Sequence, residues 1–317
     1  MKIVIPGGSG QLGCILARSF NDRGHQVTVL SRNPGDAPWK TFYWDGENPG
    51  PWTETLEGAD VIINMAGRCV NCRYNATNQK EIIDSRVNST KAVGQAIEKA
   101  ANPPKLWLQA ATATIYAHRY DAPNDDITGQ IGGTEPDVPK SWKFSIEVAT
   151  RWEEACRAFH LPETRKVIMR SAMVMSPDQN GVFDLLSNLV RRGLGGHNGH
   201  GRQFVSWIHD QDFVRAIDHL IEHEELEGVV NLAAPEPLPN HDFMSALRQS
   251  WGIPFGLPAT RWMLEIGAFF MRTETELILK SRRVTPSRLL NSGFDFKFPS
   301  WPKASQQLCD RHWRKSA

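Results

Sequence analysis

MKIVIPGGSGQLGCILARSFNDRGHQVTVLSR, residues Met1–Arg32, is the stretch whose reading decides the fold. An apolar run, Lys2-Ile-Val-Ile5, leads into a glycine cluster at Gly7, Gly8, Gly10 and Gly13. Apolar residues then recur at helical spacing (Leu12, Ile15, Leu16, Phe20) as far as Gly24, and a second apolar run follows, Val27-Thr-Val-Leu30. Strand, glycine turn, helix, strand is the setting in which glycine spacing carries meaning. Glycines let the backbone turn sharply and approach a pyrophosphate, and the opening of the helix offers free N–H groups and a positive dipole end. Gly7, Gly10 and Gly13, with Gln11 and Leu12 at the helix start, are therefore expected to hold a dinucleotide. The plainer alternative is a structural strand–helix turn.

The residues after the second strand refine this expectation. Units that bind NAD usually place Asp or Glu there, to hold the ribose 2′-hydroxyl. Here the residues are Ser31-Arg32. A hydroxyl and a guanidinium suit a 2′-phosphate, which a carboxylate would repel. The expected cofactor is NADP(H), set against a reading of Arg32 as a solvated loop residue.

Composition bounds the rest. The chain has 317 residues, 40% of them hydrophobic, and a formal net charge of +1. That is an ordinary globular composition, with no charge excess pointing to nucleic acid or to an anionic membrane. The N-terminus reads as a core strand and not a signal peptide, and the apolar stretch from Trp262 to Met271 is too short to span a bilayer. The expected compartment is the cytoplasm. The five cysteines are Cys14, Cys69, Cys72, Cys156 and Cys309. Cys69 and Cys72 have CxxC spacing, but the partners a structural zinc would need are missing, so reduced thiols are expected and no metal.

Strand and helix patterns alternate onward. Asp60 to Gly67 reads as a buried strand feeding a tight loop, residues 77 to 100 as a long helix, and Lys105 to Ala111 as a strand. A loop rich in Asp, Gly and Pro spans about 118 to 142, a helix runs from about Ser145 to Phe159, and Arg165 to Arg170 is a further strand. This alternation implies an α/β, doubly wound parallel sheet, with ligands beyond the carboxyl ends of its strands. Asp210 to His223 reads as a helix and Val229 to Leu232 as a strand. The expected organisation is a dinucleotide-binding domain of residues 1–170 plus about 203–234. Residues 171–202 and 235–317 would form a smaller, mostly helical substrate lobe, and the aromatics Trp251, Trp262, Phe269, Phe270, Phe294, Phe296, Phe298 and Trp301 read as core rather than as a substrate cage.

Several further segments resemble the extended short-chain dehydrogenase/reductase superfamily, in its NAD-dependent epimerase/dehydratase group. The glycine turn matches at Gly7, Gly10 and Gly13. Asn64-Met-Ala-Gly67 resembles the family's N-x-A-G, which passes close to the cofactor, and Asn88 resembles its helix asparagine. Ala111-Thr-Ala-Thr-Ile-Tyr116 resembles the strand end that carries the catalytic Ser/Thr, here Thr112. The closer likeness is to the subgroup labelled "epimerase family protein", which has a C-terminal domain of unknown function. It is carried by Arg192-Gly-Leu-Gly-Gly196, by Gly201-Arg-Gln-Phe-Val-Ser-Trp-Ile-His209 and by roughly residues 257 to 301. The resemblance implies a Rossmann fold and NADP(H), with cofactor contacts at Met65, Ala66, Gly67, Glu81, Arg86, Thr112 and Val174. It leaves monomer and homodimer both open.

The superfamily's catalysis rests on a Y-x-x-x-K pair, in which tyrosine exchanges the proton and lysine lowers its pKa. In this chain the register gives Ser145 and Ala149. The four tyrosines are Tyr43, Tyr74, Tyr116 and Tyr120, so no shift in register restores the base. Thr112 is the expected hydrogen-bond donor to substrate. The candidate replacements are Tyr116 at the end of the same strand, Lys143 as a ribose contact or general acid, and His209 as a residue lining the cleft, each with a structural or solvated reading beside it. Two functions follow: an NADP(H)-dependent oxidoreductase or epimerase-like enzyme acting on a small polar substrate, or a cofactor-binding regulator or scaffold without chemistry.

Overall fold

A computed structural model describes residues 1–136, 138–260, 263 and 276–316. The strands are β1 (Lys2–Pro6), β2 (Gln26–Ser31), β3 (Lys40–Tyr43), β4 (Val61–Asn64), β5 (Leu106–Thr112), β6 (Arg165–Ser171), β7 (Met173–Met175), β8 (Phe204–Val205), β9 (Trp207–His209), β10 (Gly228–Leu232) and β11 (Leu238–Pro239). The helices are α1 (Gln11–Asp22), α2 (Ala76–Lys99), α3 (Lys140–Arg157), α4 (Val182–Arg191), α5 (Asp210–Glu222), α6 (Asn240–Ser250), α7 (Glu276–Leu279), α8 (Ser287–Asn291) and α9 (Trp301–Ser316). Seven strands form one parallel sheet in the order β10-β6-β5-β4-β1-β2-β3. The order reverses between β1 and β4, which opens a crevice at their carboxyl ends.

Strand alternation divides the core into two layers. Ile3, Ile5, Val29, Ile63, Leu108 and Met169 face α1 and α5 through Leu16, Phe20, Phe213 and Ile217. Val4, Leu30, Ile62, Trp107 and Ile168 face α2 and α3 through Val93, Ile97 and Cys156. A third cluster holds the C-terminal lobe together. Phe243 stacks on Trp301 at 4.1 Å, and the Trp301 indole donates to the Phe243 carbonyl at 2.8 Å. Trp251 is buried in this third cluster, whereas Phe294 and Phe296 are buried in the first layer, against the face of the sheet that packs on α1 and α5. Trp262, Phe269, Phe270 and most of the apolar stretch from 262 to 271 lie outside the described residues. Among the described residues no helix is long and apolar enough to cross a membrane.

Two elements depart from the sequence reading. β3 has no apolar run to announce it. It is an edge strand with no fully buried residue, paired with β2 from Thr28↔Lys40 to Ser31↔Tyr43. α3 begins at Lys140 rather than near Ser145: Pro139 occupies the N-cap without any side-chain cap, and its carbonyl accepts from Trp142 and Lys143. The usual Ser/Thr/Asp start signal is absent, so the pattern hides the first turn.

Candidate functional site

The β1–α1 turn is closed by backbone contact. Gly7 has φ +72° and donates to the Leu30 carbonyl at 2.9 Å. A Cβ at Gly7 would lie 2.5 Å from the Ala66 Cα, so the loop after β4 crosses the turn directly. A Cβ at Gly13 would lie 2.4 Å from the Gly8 Cα, and only glycine lets α1 pack this tightly on the turn. Gly10 is the N-cap of α1 and no side chain caps the helix. The first-turn N–H groups, from Gln11 and Leu12 onward, are thus available to an anion.

The end of β2 completes this half of the site. Ser31 is buried and donates to the Ser9 hydroxyl at 2.9 Å, while its oxygen accepts from the Asn33 amide at 3.1 Å. Its hydroxyl therefore braces the glycine turn. Arg32 stands exposed beside it, and no carboxylate occupies the end of the strand. A small, phosphate-accepting turn with an exposed guanidinium at its rim fits a dinucleotide carrying a 2′-phosphate.

The loop after β4 runs along the crevice. Asn64 is fully buried, donates to Gln109 at 3.0 Å and accepts the Ala66 amide at 3.1 Å; the Met65 amide bonds to the Pro6 carbonyl at 2.8 Å. Gly67 leaves room for Arg86 of α2, which a Cβ there would press upon at 3.3 Å. Arg86 donates to the Ile82 carbonyl at 3.1 Å and lies over the Trp152 ring at 5.0 Å, and its burial pulls the guanidinium pKa down to about 10. Glu81 is exposed and pairs with Arg68 at 2.5 Å. Val174 is buried in the first core layer, its strand β7 paired with β9.

The residues expected to carry chemistry separate. Thr112 ends β5 at the mouth of the crevice, and its Oγ1 accepts the Thr114 amide at 3.2 Å. Tyr116 does not face the crevice. It is 2% exposed, donates to Asn231 Oδ1 at 2.8 Å and lies under the Arg170 guanidinium at 4.9 Å. Burial pushes its hydroxyl pKa up, which suits a core hydroxyl. Lys143 is exposed on α3. His209 is fully buried and caps α5: its Nδ1 accepts the Gln211 amide at 3.1 Å, its Nε2 meets Gln307 at 2.8 Å, and Phe298 stacks on it at 3.9 Å. It lines no cleft, because the W-I-H segment turns it under the C-terminal lobe.

Ser145, at the position of the missing tyrosine, donates to the Glu276 carboxylate. Glu276 is 1% exposed and lies 3.9 Å from Arg282. The next turn brings Lys280, 2% exposed, to the Thr114 carbonyl at 2.7 Å, while Arg282 Nε reaches Thr114 Oγ1 at 3.3 Å. Burial, and after it the Arg282 charge, lowers the Lys280 pKa to about 8. Glu276, Lys280 and Arg282 escaped the sequence reading. The one available signal was two charges bracketing an apolar triplet in Glu276-Leu-Ile-Leu-Lys280.

This chain belongs to the NAD-dependent epimerase/dehydratase family: the family model matches residues 3–233, and the model of a domain of unknown function (DUF1731) matches residues 259–308. It is similar along its length to the epimerase family protein SDR39U1 of Homo sapiens. The two are 31% identical over 315 residues, covering 97% of this chain and 99% of the human one. Epimerase family protein YfhF of Bacillus subtilis is 29% identical over 315 residues, covering 98% and 99%. The crystal structure of human SDR39U1 (isoform 2) with NADPH superposes with a TM-score of 0.85 at 30% identity, covering 98% of this chain and 99% of that one. A nucleoside-diphosphate sugar epimerase from Corynebacterium glutamicum shares the fold, with a TM-score of 0.75 at 24% identity over 97% of this chain and 58% of that one.

Proposed function

We propose that this chain binds NADP(H) at the β1–α1 turn and serves as an oxidoreductase or epimerase-like enzyme for a small polar substrate held at the carboxyl ends of β5 and β6. The observation that carries the reading is the turn itself: glycines sealed against Ala66 and Gly8, an uncapped helix start, and Arg32 where a carboxylate would repel a 2′-phosphate. The human relative solved with NADPH supports it.

When bound, the cofactor supplies the capacity to exchange two electrons with a carbon–oxygen centre. The chain's residues do the rest. The α1 N-terminus holds the pyrophosphate, Arg32 the 2′-phosphate, and the loop Met65-Ala-Gly67 closes over the crevice. Thr112 Oγ1 accepts the Thr114 amide, and its own rotatable hydrogen is left to serve as a donor to a substrate oxygen. A second reading, a cofactor-sensing scaffold, is supported by one observation: Ser145, the residue that the sequence register gives for the superfamily's base, is bonded to Glu276.

Fluorescence titration with NADPH and NADH tests the binding half. Arg32→Ala should erase about tenfold or more of the preference for NADPH, the value of a charge-assisted phosphate bond. Equal affinity of the wild type for both cofactors would overturn it. Cofactor turnover in a screen of carbonyl compounds, lost in Thr112→Val, supports the enzyme; firm NADPH binding with no turnover supports the scaffold.

A further inference from the structure

Two of the five cysteines stand apart from the rest. Cys156 and Cys309 are fully buried, and burial pushes both thiols up to about 12. Cys14 is half-buried in α1 and donates to the Gly8 carbonyl at 3.4 Å, and burial pushes its thiol up as well. Thiols so placed react poorly, because the thiolate is the nucleophilic form. Cys69 is exposed and Cys72 half-buried, both in the loop between β4 and α2, with only Val70 and Asn71 between them.

The backbone folds back between the pair. The Cys72 amide donates to the Val70 carbonyl at 2.8 Å, a tight turn centred on Asn71, and the Asn71 amide donates to Cys69 Sγ at 3.4 Å. The Cys69 sulfur therefore lies against the backbone of the residue that precedes Cys72. The chain is tied on both sides of this span. Before it, the Arg68 amide donates to Ser85 Oγ at 3.0 Å. After it, the Arg73 carbonyl accepts from the Asn78 side chain at 2.7 Å, and the Tyr74 carbonyl from the Gln79 side chain at 2.8 Å. A disulfide asks its Cα atoms to stand within about 7 Å of each other. The ties keep the two cysteines close, and the span between them, with Asn71 exposed, is surface loop that can adjust to the bridge.

We propose that Cys69 and Cys72 form an oxidative modification site, a dithiol that a peroxide converts into a disulfide within the chain. Cys69, the exposed member, reacts first. Its thiolate sulfur attacks one peroxide oxygen, the O–O bond breaks, and the departing hydroxide takes up a proton and leaves as water, so that Cys69 becomes a sulfenic acid. Cys72 then gives up its proton and attacks that sulfur. The S–S bond forms, the S–O bond breaks, and the hydroxyl leaves with the proton as a second water. Two thiols are oxidised by two electrons in all, and one peroxide is reduced to two waters. The bridge falls in the loop that continues Met65-Ala-Gly67, with Cys69 within electrostatic reach of Arg86, so the modification sits at the rim of the crevice.

Mass spectrometry of the full chain provides the test. Trypsin cuts after Arg68 and Arg73 and releases Cys69-Val-Asn-Cys-Arg73, a single peptide that carries both thiols. The folded protein is treated with hydrogen peroxide, then denatured, alkylated and digested without reductant. The peptide should be lighter by two hydrogens and refuse alkylation, while Cys14, Cys156 and Cys309 are alkylated as in the untreated chain. Dithiothreitol should restore the peptide. Cys72→Ser should stop the reaction at a sulfenic acid on Cys69 that dimedone captures, and Cys69→Ser should leave Cys72 reduced under the same treatment. Thermal melts verify that both variants fold. A peptide that stays reduced, a bridge between two chains in place of one within a chain, sulfinic acid on Cys69 with Cys72 untouched, or Cys14 reacting ahead of the pair would each overturn the proposal.

Discussion

Replacing Lys280 with Met should make the ligand-free protein more stable at neutral pH, the reverse of what truncating a buried side chain usually does. Burial and the Arg282 charge bring the Lys280 pKa from its ordinary 10.5 to about 8, against the opposing pull of Glu276 and Glu135, while His118, whose own pKa is lowered by burial, faces the same group. A drop of that size corresponds to about 3 kcal/mol spent on keeping the charged form folded. Met removes that cost and leaves the Thr114 carbonyl without its donor, a loss of about 1–2 kcal/mol. The balance favours the variant by about 1–2 kcal/mol, or about 2 °C in midpoint for a chain this long. Below about pH 8 the ammonium is protonated both folded and unfolded, so the cost is at its full value. Between about 8 and 10.5 the unfolded chain keeps a proton that the folded chain has released, so wild-type stability rises with pH and the gap closes. Thermal melts of both proteins near pH 7 and again about two pH units higher read this directly. A variant less stable than wild type at neutral pH, or a gap indifferent to pH, would refute the reasoning.

Two further substitutions probe the frame around the site. Gly13→Ala places a Cβ 2.4 Å from the Gly8 Cα, so α1 must shift off the turn; stability should fall by about 1–3 kcal/mol and NADPH affinity with it, both measurable by denaturant and fluorescence titrations. Glu153→Gln strips the charge from a carboxylate that is 1% exposed and is gripped by Arg170 and Arg157, stranding a buried guanidinium. The expected loss is about 3–5 kcal/mol in urea unfolding, and a loss under 1 kcal/mol would show that water reaches Arg170.

Where periodicity and burial coincide, the chain was legible. Ile3, Ile5, Val27 and Val29 sit in a parallel sheet whose strands are covered on both faces, so their apolar runs announce them. The glycine turn was legible for a related reason, since Gly7 and Gly13 are required by backbone contacts that no side chain could share. β3 gave no such signal, because an edge strand with no fully buried residue has no need of one. Tyr116 and His209 illustrate the opposite failure: their residue types suggested chemistry, and only tertiary packing shows a phenol tied to Asn231 and an imidazole capping α5.

The cations of the cleft were hidden by their own neighbourhood. Lys280-Ser-Arg-Arg283 looks like a solvated basic run, yet even Arg283 is half-buried, lying over the Phe204 ring and donating to the Tyr120 carbonyl. The segment is extended, with Arg282 donating its amide to the Phe204 carbonyl and Val284 bridging to Asn124. Alternate residues of an extended segment face opposite sides. Lys280, Arg282 and Val284 lie on one side, and Ser281, also buried, is held on the other by His118 and the Arg119 carbonyl. Within that side the two cations are not equivalent. Arg282 has Glu276 beside it, an arrangement that the fold alone can justify. Lys280 bonds a single carbonyl, and burial outweighs the pull of Glu276 and Glu135 on it. Glu276 and Glu135 offset part of the cost of burying it, and the remainder is what the pH dependence of the Lys280→Met melts reads.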